Sequence, residues 1–135
     1  MGDATELRRE LHAWLDDHLT ADVVAAGRHG PQADTIDVLR EWNGRLADAG
    51  WAAPAWPVEH GGRAADIAEQ VAYLQVMSER GVPGPVNVIG VSNIAPAIMT
   101  VGSAEQQDRF LRPMLRGDEI WSQGMSEPDA GSDLA

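Results

Sequence analysis

Apolar residues recur along this chain at helical spacing, in stretches separated by glycine and proline. Leu7, Leu11, Trp14, Leu15 and Leu19 form one stripe and predict an amphipathic helix over 5–19, because positions three and four apart share a helix face. Thr5 is the expected N-cap; Arg8 stands at N3, so no reciprocal capping box is expected. Residues 21–26 predict a short further turn of helix, and 27–31 a loop. A second helix starts at Asp34 or Thr35. Its buried face is Ile36, Leu39, Trp42, Leu46 and Ala49, and Gly50 is its C′ residue. Gly44 in its middle costs about 1 kcal/mol relative to alanine and points to close packing there.

Residues 51–62 cannot be a helix interior. Pro54 and Pro57 forbid it, and Gly61-Gly62 ends it. Trp51 and Trp56 predict that this loop is pinned onto the helices. A third helix covers 64–80, with Ile67, Val71, Leu74 and Met77 or Ser78 as its apolar face. Residues 86–101 are mostly apolar on all sides, interrupted by Asn87, Ser92 and Asn93, and predict a buried helix kinked or divided at Pro96. Ser103 and Gln106 have the spacing of a capping box. The helix they start carries Phe110 and Leu111 and ends near 113–117. A strand is expected from Ile120. The fold class is therefore all-α, a helical bundle with a C-terminal β-strand stub; a lone strand leaves its backbone groups unpaired unless partners come from elsewhere.

Composition narrows the function classes. At 135 residues the chain is one ordinary domain, long enough to bury a core. A formal net charge of −11 argues against phosphate-backbone binding to nucleic acid and disfavours anionic membrane surfaces. The absence of cysteine excludes disulfides and thiolate chemistry. The N-terminus has no apolar signal region, Glu6 stands where a myristoylation signal needs Ser or Thr, and no apolar run reaches membrane-spanning length. A cytoplasmic protein is expected. His12, His18, His29 and His60 have no helical metal-site spacing, and the adjacent Glu59 and His60 do not converge on one substrate atom. Nucleophile-elbow, phosphate-loop and Gly-x-Gly-x-x-Gly motifs are absent.

The chemistry gathers at 121–135. There Ser126 and Ser132 offer hydroxyls, Gly131 permits close backbone approach, and turn N–H groups can donate to a heterocycle or a phosphate. The stretch Gln123-Gly124-Met125-Ser126-Glu127-Pro128-Asp129-Ala130-Gly131-Ser132-Asp133-Leu134-Ala135 closely resembles the flavin-binding signature of acyl-CoA dehydrogenases. Upstream, Gly50-Trp51-Ala52-Ala53-Pro54-Ala55-Trp56-Pro57, Glu59-His60-Gly61-Gly62, Glu105-Gln106-Gln107 and Phe110-Leu111-Arg112-Pro113 resemble the same family. The likeness runs over about 35–135.

The resemblance implies an N-terminal helical domain over 1–119, followed at 120–135 by the first strand and flavin loop of a middle β domain. It implies FAD as cofactor and oxidation of an acyl-CoA thioester across its α and β carbons. Gln123, Met125, Ser126 and Ser132 would contact the flavin. Ser132 would also face the CoA portion, and Val86, Ile89 and Asn93 would border the acyl pocket. Family members carry a catalytic glutamate that no residue here matches. The chain resembles about the first third of such an enzyme and is expected to be inactive alone. Partners implied are the remaining domains or a homologous subunit, in a homo- or hetero-oligomer, and an electron-accepting flavoprotein. Two other readings remain open: a non-catalytic helical module pairing with a partner flavoprotein, and part of a related flavoenzyme acting on amines or nitroalkanes.

Overall fold

Asp3, rather than Thr5, opens the first helix. Its carboxylate accepts from the amides of Thr5 at 2.9 Å and Glu6 at 3.3 Å, neutralising two donors that a helix start leaves unpaired. The structure, a computed structural model, describes residues 3–126. Its helices are α1 (Ala4–His18), α2 (Ala21–Gly27), α3 (Ile36–Asp48), α4 (Ile67–Glu79), α5 (Ala95–Val101) and α6 (Ala104–Arg116). A 3-10 turn lies at Val58–His60, and a π-helical turn at Gly90–Ile94 runs directly into α5.

Helix ends follow local chemistry. Asp66 and Glu69 form a reciprocal capping box on α4, which therefore starts after the expected residue 64; Ser103 and Gln106 form the expected one on α6. α3, α4 and α6 end alike. In each, a glycine at positive φ (Gly50, Gly81, Gly117) donates back to the carbonyl three residues earlier, and the next residue reaches five back, the Schellman arrangement that occupies free carbonyls.

α1 packs on α4, α2 on α3, α3 on α6, and α5 on α6. The core forms two clusters. Leu7, Leu11, Leu15, Trp42, Leu46 and Val76 belong to the first; Trp56, Val91, Ala95, Leu111, Met114 and Leu115 belong to the second. α3 contributes to both, through Trp42 and Leu46 on one side and Ala47 on the other.

The Trp/Pro loop is pinned as expected. Trp51 and Trp56 are buried. The Tyr73 hydroxyl donates to the Trp51 carbonyl at 2.8 Å, and burial holds that phenol well above its ordinary pKa. The Arg63 guanidinium lies 3.8 Å from the Trp51 ring centre and pairs with Glu10 on α1, so a stacked cation ties loop to helix.

The expectations for the face of α4 and for the burial of the next apolar segment are corrected. On α4 the inward residues are Ala72 and Val76, while Ile67, Val71 and Leu74 face outward; α1 packs on the small-residue side. The segment 88–101 is not buried all round, since Val88 and Val101 are exposed. Pro96 lies in the first turn of α5, where the segment divides as expected, with the π-helical turn before it. The Ala95 amide donates to the Gly90 carbonyl five residues back, so the missing proline N–H is accommodated by a widened turn just upstream. The strand expected from Ile120 is not seen among the described residues. Residues 120–126 carry no regular structure, and among the described residues there is no strand to pair with.

Candidate functional site: the exit from the last helix

The end of α6 is held by side chains from two other elements. A helix leaves its last carbonyls free, and here α3 supplies donors for several. Asn43 Nδ2 donates to the Leu115 carbonyl at 2.8 Å, Arg40 Nε to that of Gly117 at 3.0 Å, and an Arg40 terminal nitrogen to that of Asp118 at 2.9 Å. The exposed carboxylate of Asp48 pairs with Arg112 and Arg116. The Arg116 hydrogen bond, with both guanidinium charges, holds that carboxylate below its ordinary pKa.

The second element is the turn before the π segment. Asn87, 1% exposed, lies there. Its Nδ2 donates to the Met114 carbonyl at 2.9 Å and the Glu119 carbonyl at 3.0 Å, and its Oδ1 accepts from the Trp121 amide at 2.8 Å. The Trp121 ring meets Phe110 edge-on, with centroids 5.4 Å apart and planes at 87°. Trp121 is thus fixed through both backbone and ring.

Beyond Trp121 the chain leaves the core. Gln123, Met125 and Ser126 are exposed, and none of the hydrogen bonds among the described residues uses the Gln123 amide or the Ser126 hydroxyl. An amide, a thioether and a hydroxyl on one irregular stretch fit the edge and face of a planar heterocycle: polar atoms for its rim, an apolar surface for its ring. Ser132 lies outside the described residues. Val86 and Ile89 are half-buried and Asn93 is exposed. Val86 packs toward Gly117, where an added Cβ would come within 2.7 Å of its Cγ2. A neighbouring apolar cleft of about 400 Å³ is lined by Trp56, Tyr73, Leu74, Pro85, Val91 and Pro96 among others, and not by Val86, Ile89 or Asn93. Asn87 is the residue that sequence reasoning passed over. Its signal was a carboxamide in an apolar run, a residue type that is buried only when its hydrogen bonds are met.

His18 stacks on Trp14 with centroids 4.4 Å apart, and among the described residues no group of three potential metal ligands occurs. No described helix is long and apolar enough to cross a membrane.

The described residues form a helical domain whose last helix leads into a fixed tryptophan and then an exposed polar stretch. Comparison with known proteins shows its family. The family model described as "Acyl-CoA dehydrogenase, N-terminal domain" matches residues 2–118, and the chain belongs to that family. It is 41% identical to acyl-CoA dehydrogenase IpdE1 of Mycolicibacterium smegmatis, over 100% of this chain and 35% of that protein. It is 38% identical to IpdE1 of Mycobacterium tuberculosis, over 100% of this chain and 36% of that one. Among solved structures, the ChsE4–ChsE5 complex from Mycobacterium tuberculosis superposes with a TM-score of 0.71 at 32% identity, covering 99% of this chain and 33% of the other. The Tcur3481–Tcur3483 steroid ACAD gives 0.69 at 33% identity, covering 97% and 33%. The chain spans about a third of the length of these relatives.

Proposed function

We propose that this chain is the N-terminal part of an FAD-dependent acyl-CoA dehydrogenase, which oxidises an acyl-CoA thioester to the enoyl-CoA. The observation that carries the reading is the exposed Gln123–Met125–Ser126 stretch, delivered by a fixed Trp121 in a member of this family. In this reading the stretch holds one face and edge of the isoalloxazine. Met125 lies against the ring and the Ser126 hydroxyl donates to its polar rim, with Ser132 continuing the cradle. Val86, Ile89 and Asn93 border the acyl group. The flavin, when bound, supplies the hydride acceptor; the chain's own part is to hold and orient. No residue of this chain is assigned the catalytic base. The relative titled a steroid ACAD favours a bulky, ring-bearing acyl group.

The test is spectroscopic. The protein encoded by the full reading frame, purified with FAD, is expected to be yellow and to bleach anaerobically on addition of a ring-bearing acyl-CoA, faster than with a straight-chain one. A colourless protein that ignores both FAD and acyl-CoA overturns the reading. A second reading, a helical module that completes its site with a partner flavoprotein, draws support from the two-component names of both solved relatives. It is favoured if bleaching occurs only after a second subunit is added.

A further inference from the structure

We infer that Asn87 is a positioning residue that couples the wall proposed for the acyl group to the segment proposed for the flavin. The inference rests on the proposed function for what is coupled, and on geometry for the coupling itself. A carboxamide has two N–H donors and one carbonyl oxygen. Asn87 commits all three groups, to the Met114 carbonyl, the Glu119 carbonyl and the Trp121 amide. Two acceptors on one side and a donor on the other leave a single orientation of the amide. The three partners follow one path, from the last turn of α6, through the exit, to the first residue fixed beyond it.

Two glycines make this arrangement possible. A Cβ at Gly90 would lie 2.5–2.7 Å from the Asn87 amide atoms, so a larger residue there would displace it. A Cβ at Gly117 would strike Val86, the residue before Asn87. The backbone on either side of the amide is thus closely fitted. Downstream, the Val91 amide donates to the Asn87 carbonyl at 3.0 Å, so Asn87 also belongs to the first turn of the helix that carries Ile89 and Asn93. A shift of that helix by an acyl group must carry residues 119–121 with it, or break one buried hydrogen bond, to Met114, and two part-buried ones, to Glu119 and Trp121. A leucine of similar volume would fill the space, take the Asn87 partner from the Glu119 carbonyl and the Trp121 amide, and leave the Met114 carbonyl with the Gly117 amide alone.

The experiment uses the protein from the full reading frame. Asn87→Ala and Gly90→Ala are compared with Val76→Ala, a control buried in the other core cluster and remote from the exit. Hydrogen exchange at the Trp121 amide is expected to accelerate about tenfold or more in both test variants, on the scale of one lost hydrogen bond, and not in the control. In the flavin-loaded protein the test variants are expected to weaken FAD binding and to lose the acyl-CoA-induced change in the visible flavin band. The control is expected to keep both at a similar loss of Tm. Unchanged Trp121 exchange in Asn87→Ala, or equal flavin effects in Val76→Ala, overturns the inference. A wild-type protein that takes up no flavin overturns the functional reading and the coupling with it, and is told apart because Trp121 exchange still reports whether Asn87 holds the exit. Should Asn87→Ala fail to fold, Gly90→Ala decides by the same readouts.

Discussion

A methyl group at position 62 has nowhere to go. Its Cβ would sit 2.0 Å from the Trp56 carbonyl oxygen, which already accepts from the Ala64 amide at 2.9 Å. Gly62→Ala is expected to destabilise the domain by about 3 kcal/mol, measured by chemical denaturation, because backbone rather than a flexible side chain must yield. Asp48 gives a pH dependence. Its folded pKa lies below the ordinary 3.8, so its contribution is fully present above that value. It is lost as pH falls below 3.8 and on through the lower folded value. Asp48→Asn is expected to flatten the acid limb of stability against pH while changing neutral stability little, since exposed pairs contribute about 0–1 kcal/mol. At this scale sequence reading succeeded where chemistry is local. The Ser103–Gln106 box and Gly50 were legible because caps depend on spacing alone. Asp3 was passed over for Thr5, although its carboxylate, two residues upstream, reaches the amides of Thr5 and Glu6. Asn87 was illegible in its role, because its partners lie 27–34 residues away.

At the scale of the element, α4 shows how a correct helix can be assigned the wrong face. Ile67, Val71 and Leu74 fall at helical spacing and read as a core stripe, yet they are 80%, 49% and 63% exposed. The inward side is Ala72 and Val76, with Tyr73 and Met77 at its flanks. Both sides of this helix are apolar enough to be buried, and only the packing of α1 decides between them. Replacing Ile67 and Leu74 by glutamine is expected to cost under about 0.5 kcal/mol each and to lower binding of a hydrophobic dye. Val76→Ala is expected to cost about 2 kcal/mol and leave dye binding unchanged in the native state. Equal costs at all three positions would show the helix to be turned the other way.

For the molecule as a whole, the order and number of the main helices followed from periodicity and punctuation, because glycine and proline act locally. What periodicity could not reach was the division of the core into two clusters joined through α3, and the clasp around the end of α6. Both depend on which helices meet. The candidates for a flavin loop rest on the terminal motif alone, and the structure adds how the chain before them is held at Trp121. One consequence remains in the widened turn at Gly90–Ile94. Such a turn holds one residue more than an α-helical path of the same rise needs. The chain therefore carries a spare residue between the Asn87 clasp and α5. Removing one residue from 91–93, together with Pro96→Ala to restore the missing N–H, is expected to tighten the segment into plain α-helix with the phase of both flanks kept. Tm should change far less than after the same deletion within α3 or α6, where the loss of a residue turns every later side chain by about 100°.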